Sequence, residues 1–219
     1  MTKKQRAALA VTLLEKAYPD ALCSLDYTTP LELLIATRLS AQCTDARVNI
    51  VTKDLFAKYR NVYDYADAKL EDVESCIKSC GLYKTKAKDI IALAKVLIEK
   101  HGGEVPDTLD ELTALPGIGR KTGNLIMGDI YGQPAYVCDT HCIRITNLLG
   151  LTTSTNPLAV EKQLRACLAP EKSNDFCHRM VLHGRAVCKA RSPQCDICPI
   201  IEACVHGTKT LKKPQSIDK

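Results

Sequence analysis

Residues 115–123 of the chain read Leu-Pro-Gly-Ile-Gly-Arg-Lys-Thr-Gly and predict a tight turn between two helices. Gly117 and Gly119 can adopt backbone angles closed to other residues, and they let another molecule approach the backbone closely. A helical pattern runs from Arg120 to Tyr131, and successive N–H groups at a helix start form an anion site. A plain turn between helices is the alternative. The whole pattern favours a helix–hairpin–helix that binds phosphate through Gly117, Gly119 and Arg120.

Lys121 and Asp139 are the candidate catalytic residues. Lys121 falls in the first turn of the predicted helix, where the positive end of the helix dipole opposes a cation. That position, with the partial burial we expect, favours a neutral and therefore nucleophilic amine. The alternative is a lysine that only neutralises phosphate. Asp139 lies in Cys-Asp-Thr-His before a helical pattern and is expected to cap that helix. His141 and Arg144 are either phosphate contacts or local structure.

Nearly every other segment also reads as helix, which predicts an all-α fold. Several helix starts carry a capping residue, sometimes followed by proline or by glutamate three positions later. These starts are Thr29-Pro30, Thr44, Thr108 with Glu111, and Asn156-Pro157. Further helices are expected from Leu70 to Gly81, from Lys86 to His101 and from Ser173. Only 135–137 suggests a short extended piece.

The composition is that of a globular protein with a mild positive charge. The chain has 219 residues, 46% of them hydrophobic and 25% charged, with a formal net charge of +5. No apolar run approaches the roughly 20 residues needed to span a bilayer, so we expect a cytoplasmic protein without a membrane partner. The chain has two Phe and no Trp. Single-strand binders need aromatic stacking platforms, so double-stranded DNA is the better candidate partner.

Four of the twelve cysteines form one cluster near the C-terminus. Cys188, Cys195, Cys198 and Cys204 have the spacing C-x6-C-x2-C-x5-C. Structural zinc sites usually pair two short C-x2–4-C knuckles, whereas a single loop carrying four thiolates suits a [4Fe–4S] cluster. Zinc remains the alternative metal. Arg185, Lys189 and Arg191 crowd this loop and form either a phosphate-facing patch or an ordinary solvated surface. The other eight cysteines are expected to act as small buried hydrophobes.

Several motifs, taken together and in this order, resemble the endonuclease III family of base-excision DNA glycosylases with AP lyase activity. The resemblance covers nearly the whole chain. Besides the hairpin and the cysteine loop, it is carried by Leu-Ser-Ala-Gln at 39–42, Gly-Leu-Tyr at 81–83, Gly-Glu-Val-Pro at 103–106, Asp-Thr-His at 139–141 and Leu-His-Gly-Arg at 182–185.

The resemblance implies an all-α architecture of two helical domains. A six-helix barrel domain, residues 23–134, would carry the helix–hairpin–helix. Residues 1–22 and 135–219 would form a [4Fe–4S] cluster domain. DNA would bind in the cleft between the domains, with Lys121 and Asp139 at its mouth.

The resemblance also implies a mechanism on duplex DNA that contains a damaged pyrimidine or an abasic site. Gln42 matches the family residue that fills the space left by the extruded base, and Leu82 matches the wedge against the opposite strand. Lys121 would attack the sugar C1′, and Asp139 would stabilise the positive charge that develops there. The Schiff base then permits β-elimination 3′ to the lesion. The cluster would be structural and would position DNA. We expect a monomer.

The chain departs from the family pattern at a few positions, and two other functions stay open. Gly123 stands where the family usually has alanine, Cys138 where valine is common, and Cys80 where a larger aliphatic residue is usual. One alternative is a monofunctional mismatch glycosylase of the same superfamily, although such relatives lack lysine at the position of Lys121. The other alternative is a non-enzymatic iron–sulfur module that binds DNA or senses redox state.

Overall fold

The structure, a computed structural model, describes residues 1–212, and over this range it is all-α as predicted. It contains twelve α-helices and four short 3-10 helices, and no strand is present among these residues. Residues 135–137 form no ladder and only connect two helices. No helix in the described range is both long enough and apolar enough to cross a membrane.

The chain divides into two compact units. The hairpin unit, Cys23–Gly132, is one continuous segment. The cysteine unit combines Met1–Leu22 with the described residues from Gln133 onward. The hairpin unit contains α2 (Pro30–Ser40), α3 (Asp45–Lys58), α4 (Val62–Ala66), α5 (Leu70–Ile77), α6 (Tyr83–His101), α7 (Leu109–Ala114) and α8 (Arg120–Asp129). The cysteine unit contains α1 (Lys3–Ala17), α9 (Thr140–Leu149), α10 (Pro157–Arg165), α11 (Ser173–Ala186) and α12 (Val205–Lys212).

In the hairpin unit, α2 is the central helix. It packs against α3, α6 and α8, and its four consecutive residues Leu33, Leu34, Ile35 and Ala36 are all buried. A helix that is apolar on every side is surrounded by others. The C-terminal end of α2 and the start of α6 therefore lie on a rigid frame. The loop after α2 carries Gln42 and the loop before α6 carries Leu82, and both residues are candidate DNA contacts.

In the cysteine unit, α11 is the scaffold for the other helices. It packs against α9 and α1, and α12 packs against α9. The core includes Leu14, Leu149, Phe176 and Met180, none more than 1% exposed. Because α9 begins at Thr140 and α11 ends just before Cys188, this packing fixes both the Asp139 helix start and the beginning of the cysteine loop.

Two features of the hairpin unit differ from the helices expected from the sequence. α6 begins at Tyr83 rather than near Lys86, and it follows a 3-10 turn, Lys78–Cys80, that extends α5. The N-cap of α6 is Leu82, which has no side-chain cap hydrogen bond, so no capping residue marks this start in the sequence. The short helix α4 is not predicted, although the side chain of Asn61 caps it.

Candidate functional site

The glycine turn forms between α7 and α8 and presents exposed backbone. Gly117 has φ 73°, in the left-handed region that favours glycine. Gly119 is the N-cap of α8 and has extended backbone angles and no side chain to accept the first amide hydrogens. Gly117, Gly119 and Arg120 are exposed, while Ile118 between the glycines is only 6% exposed. Ile118 therefore anchors the turn, and the glycines leave the uncapped helix start open to an anion.

An ion pair braces this turn from inside the hairpin unit. Arg38 of α2 donates through Nε to Oδ2 of Asp89 on α6, at 2.9 Å. A Cβ atom at Gly117 would lie 2.6 Å from Arg38 Nε and 2.8 Å from Asp89 Oδ2. Gly117 is thus required both for its backbone angle and for its close approach to this pair. No sequence pattern points to Arg38 or Asp89, because their ion pair joins two helices that are far apart in the sequence.

Lys121 lies in the first turn of α8, beside Arg120, and no acidic residue shares that turn. Its side chain is exposed. The partial burial that we expected for Lys121 is therefore wrong. An exposed amine next to an uncapped helix start can reach a ligand whose phosphate is bound at that start.

Gln42 and Leu82 lie in two loops of the hairpin unit and share an unusual backbone conformation. Among the described residues, they are the only non-glycine residues with positive φ, 55° for Gln42 and 47° for Leu82. Both are exposed, and the Leu82 side chain is 57% exposed. A left-handed backbone at a leucine is strained, and strained residues cluster at ligand-binding sites. The two residues that the family pattern selects are thus also singled out by their geometry.

Asp139 is the N-cap of α9, as predicted, and its carboxylate is held in place. Oδ1 accepts a hydrogen bond from the amide of Cys142 at 2.7 Å. The preceding residue Cys138 is buried, and Asp139 itself is half-buried. One oxygen serves the helix, and the second oxygen of a carboxylate can accept a further hydrogen bond or face a positive charge.

His141 and Arg144 lie on α9, in the same unit as Asp139. The ring of His141 rests on α11, where a Cβ atom at Gly184 would lie 2.3 Å from its Nδ1. Arg144 donates a hydrogen bond through an Nη atom to the carbonyl of Cys188. These contacts favour local structural roles, since they tie α9 to α11 and to the start of the cysteine loop. Lys189 and Arg191 are exposed on that loop.

The four cysteines of the loop line one cavity. Its walls are largely apolar and include Ile145, Leu148, Leu149, Val187, Ile200 and Ile201. Cys188 follows α11, Cys195 begins the 3-10 turn Cys195–Ile197, and Cys204 directly precedes α12. Within residues 1–212, no three His, Cys, Asp or Glu side chains are grouped so that they could hold a metal ion. The four thiols line a common cavity instead, and four thiolates in one loop are the donor set of a [4Fe–4S] cluster.

A backbone amide and a histidine ring lie within hydrogen-bonding distance of two of the sulfur atoms in this cavity. The amide of Gly207 donates to Cys204 Sγ at 3.3 Å, and Nε2 of His183 lies 3.7 Å from Cys198 Sγ. Burial lowers the pKa of His183 to about 4, so its ring is neutral near pH 7 and carries one N–H. Iron–sulfur clusters are held by thiolates whose charge is tuned by such hydrogen bonds. The residues present therefore fit an iron–sulfur cluster.

Of the eight other cysteines, four are buried as expected, namely Cys80, Cys138, Cys142 and Cys177, and the remaining four are half-buried. None of the twelve forms a disulfide in the structure.

Two family models of DNA-repair proteins match the chain, and together they cover residues in both units. Residues 35–170 match the HhH-GPD superfamily of base excision DNA repair proteins, and residues 188–204 match the iron-sulfur binding domain of endonuclease III. Endonuclease III of Bacillus subtilis is 46% identical over 197 residues, which is 90% of each chain.

Two solved structures are also similar, each with a TM-score of 0.90 and 46% identity over 97% of this chain and 100% of the other. One is a non-covalent endonuclease III–DNA complex, and the other is a trapped endonuclease III–DNA covalent intermediate. A [4Fe–4S] cluster is accordingly the cofactor of the chain. The chain belongs to the endonuclease III family, within the HhH-GPD superfamily of base excision DNA repair proteins.

Proposed function

We propose that this member of the family removes damaged pyrimidines from duplex DNA and then cuts the strand 3′ to the abasic site, with Lys121 as the nucleophile. The observation that carries the proposal is the exposed Lys121 amine in the first turn of α8, directly after a helix start that no side chain caps. The glycine turn would bind a backbone phosphate near the lesion. The amine would then be held close to the sugar of the same strand, where it can react.

Phosphate binding by the turn carries no sequence information, because such contacts touch only the DNA backbone. Gly117 and Gly119 would admit the phosphate to the amides at the start of α8, and Arg120 would add a positive charge. Lys189 and Arg191 would contact phosphates from the cysteine loop. These contacts fix the register of the protein on the duplex, and lesion recognition must come from the pocket that receives the extruded base.

Gln42 and Leu82 would hold the duplex open after the base leaves the stack. Gln42 would occupy the vacated space with its amide, which can both donate and accept hydrogen bonds. Leu82 would press its exposed apolar side chain against the opposite strand. Their left-handed backbones support these roles, because a strained exposed residue is more readily explained by function than by folding.

In the chemical step, Nζ of Lys121 attacks C1′ of the damaged nucleotide while the bond from C1′ to the base breaks. The base leaves with the electron pair of that bond and is protonated. The attacking nitrogen, which now carries two protons, loses one of them. Its lone pair then opens the sugar ring, O4′ takes up a proton, and an iminium ion that keeps one N–H remains at C1′. Removal of a proton from C2′ then expels the 3′ phosphate. Asp139 would stabilise the positive charge on the sugar, and its bond to the Cys142 amide would keep it oriented.

Cys188, Cys195, Cys198 and Cys204 would hold the [4Fe–4S] cluster. When bound, the cluster would act as a structural cofactor that orders the loop carrying Lys189 and Arg191. We further propose that the protein acts as a monomer in the cytoplasm, where it meets the DNA.

Borohydride trapping tests the proposal. The protein is incubated with a duplex that contains one abasic site, borohydride is added, and the covalent adduct is measured on a denaturing gel. Wild type and Lys95→Ala, which removes an exposed lysine of α6, should both be trapped. Lys121→Ala should not.

The outcomes separate the competing functions. If wild type forms no adduct on the abasic duplex but releases the base from a second duplex that carries a damaged pyrimidine, the chain is a monofunctional glycosylase. If it binds the duplex and does neither, it is a non-enzymatic module. Trapping of Lys121→Ala as efficiently as wild type would assign the nucleophile to another amine.

A further inference from the structure

The loops that carry Gln42 and Leu82 are far apart in the sequence and are joined by one buried side chain. Lys86 of α6 is 0% exposed. Its Nζ donates to the carbonyl of Leu39 at 2.7 Å and to the carbonyl of Cys80 at 2.7 Å. Leu39 lies in the last turn of α2, just before Gln42, and Cys80 lies just before Leu82. The ammonium therefore bridges the two loop bases.

The backbone of Lys86 adds a third link to the same loops. Its amide donates to the carbonyl of Leu82 at 3.1 Å, which is the first hydrogen bond of α6. The residue thus holds Leu82 through its main chain and holds the approach to Gln42 through its side chain. The Arg38–Asp89 ion pair joins the same two helices beneath the glycine turn, so all three candidate DNA-contacting elements of the hairpin unit share one frame.

A buried ammonium is an unfavourable choice if the position only needs to be filled. Burial disfavours the charged form, and here it lowers the pKa of Lys86. Apolar residues of similar volume usually stabilise a buried position at least as well as a charge does. What the ammonium offers is three donors at the end of a long stem. Lys86 uses two of them on carbonyls that belong to different segments.

We propose that Lys86 is a positioning residue that fixes the spacing of the Gln42 and Leu82 loops, so that both side chains enter the duplex together. The proposal rests on the proposed function, because it assumes that these two side chains open the DNA. Lys86 takes no part in the chemistry, since its amine is fully buried. Without it, each loop can relax from its left-handed conformation, and penetration of one strand is no longer coupled to penetration of the other.

The test compares Lys86→Met, which keeps the stem length and removes the donors, with Lys95→Met, an exposed lysine of the same helix. Cleavage is measured in single turnover at saturating protein, on a duplex with an abasic site opposite 2-aminopurine. Fluorescence of 2-aminopurine reports unstacking of the opposite strand. Misplacement of a reacting group by about 1 Å can lower a rate by about 100-fold, and we expect a loss of that order for Lys86→Met with no fluorescence increase. Lys95→Met should match wild type.

A double-mutant cycle separates positioning from general loss of structure. In a background of Gln42→Ala with Leu82→Ala, Lys86→Met should lower the cleavage rate by a further factor of less than about 3, because the effects of coupled residues are not additive. If Lys86→Met lowers the rate by the same factor in both backgrounds, the residue is only structural and the proposal is overturned. Wild-type fluorescence and cleavage in Lys86→Met would also overturn it.

Two further results keep the test decisive. If Lys86→Met does not fold, Lys86→Gln replaces it, since its amide retains two donors on a shorter stem, and the same cycle applies. If wild type cleaves the duplex but Gln42→Ala with Leu82→Ala cleaves as fast, the proposed roles of those two residues fail. That failure is distinct from a failure of the Lys86 proposal, which would show as an equal rate loss from Lys86→Met in both backgrounds.

Discussion

The starts of α8 and α9 face the same electrostatic situation in opposite ways. The N-cap of α8 is Gly119, which has no side chain, and the first turn carries Arg120 and Lys121 and no acidic residue. The N-cap of α9 is Asp139, whose carboxylate accepts a hydrogen bond from the Cys142 amide. The start of α9 has a capping carboxylate, whereas the start of α8 has no capping side chain and carries two cations.

The difference indicates which start is built to receive an anion. A glycine in place of a capping side chain costs only about a few tenths of a kcal/mol, and each cation near a helix N-terminus costs about 0.3–1 kcal/mol. A bound phosphate would supply the missing acceptor and would neutralise the cations of α8. At α9, the anion is already part of the chain and is held still. The first start suits binding of DNA, and the second suits a fixed charge beside a reacting sugar.

The largest effect is expected when the charge at α9 is removed while its cap is kept. Asparagine caps a helix as well as aspartate, so Asp139→Asn should unfold at nearly the wild-type temperature. Loss of one preorganised electrostatic contact costs about 100- to 1000-fold in rate, and we expect a reduction in that range in single-turnover base release. Circular dichroism and the cleavage assay check both parts.

A matched pair of cap variants controls for stability. Asp139→Ala and Asn156→Ala each remove a capping side chain in the cysteine unit, and each should lower the free energy of unfolding by about 1 kcal/mol. Only Asp139→Ala should also lose activity. If Asp139→Asn keeps wild-type activity, the carboxylate is a cap and nothing more.

The next largest effect is expected at Gly117, where the backbone lies close to the Arg38–Asp89 ion pair. Gly117→Ala places a Cβ atom 2.6 Å from Arg38 Nε at a φ of 73°, and it should lower the free energy of unfolding by about 1–3 kcal/mol. Gly102→Ala is the control, because Gly102 has φ 62° with nothing within 4 Å of a Cβ. Denaturant unfolding should show the larger loss for Gly117→Ala. Equal losses would mean that the ion pair moves aside freely and does not brace the turn.

A smaller effect is expected when α8 is given the cap that α9 already has. Gly119 has extended backbone and open space around a Cβ, so Gly119→Asp should be accommodated. An acidic N-cap stabilises a helix by about 0.3–1 kcal/mol. The Asp carboxylate would take the position of the phosphate at the helix amides and would repel the phosphate. We expect higher stability and a Kd for duplex DNA raised about tenfold, equivalent to about 1.4 kcal/mol.

Gly119→Ser distinguishes the cap from its charge. Serine stabilises the helix start without adding a negative charge, so its Kd should rise less than that of Gly119→Asp. Fluorescence anisotropy at two salt concentrations measures both. Unchanged affinity in Gly119→Asp would contradict phosphate binding at this helix start.

Local rules account for the parts of the fold that the sequence predicted well. The sequence predicts four helix caps whose side chains each accept a hydrogen bond from a helix amide in the structure, namely Thr29, Thr44, Thr108 and Asn156. Such bonds join residues two or three positions apart, so the information lies within a few residues of sequence. Asp139 belongs to the same group.

The rest depends on contacts between distant segments, which no local pattern encodes. Lys86 lies in register with the buried residues Ile90, Ala94 and Leu97 of α6, and only that position in the apolar stripe hints that it is buried. Its partners are carbonyls of other segments. The sequence predicts the start of α6 too late, because its N-cap is Leu82 in a left-handed conformation, which leucine disfavours. The sites where local rules fail are those that we assign to function, as is usual in proteins.

The smallest effect is expected at Gly123, and it tests whether this glycine weakens α8. Gly123 lies inside the helix, where glycine costs about 1 kcal/mol relative to alanine. A Cβ there would lie 2.7 Å from Cδ1 of Leu109 and at ordinary distances from its other neighbours. Leu109 is half-buried, so its flexible end can rotate away, at a cost of about 0.5–1.5 kcal/mol if it leaves its preferred rotamer. The two terms nearly cancel, and Gly123→Ala should change the free energy of unfolding by less than about 1 kcal/mol.

In a Leu109→Ala background the clash is absent, and the full helix gain should appear in denaturant unfolding. Activity should not change in either background, because residue 123 faces the protein interior and the uncapped helix start is left intact. A loss of DNA affinity in Gly123→Ala would instead show that the position of α7 against α8 controls the glycine turn, and the comparison of the two helix starts would then have to include α7.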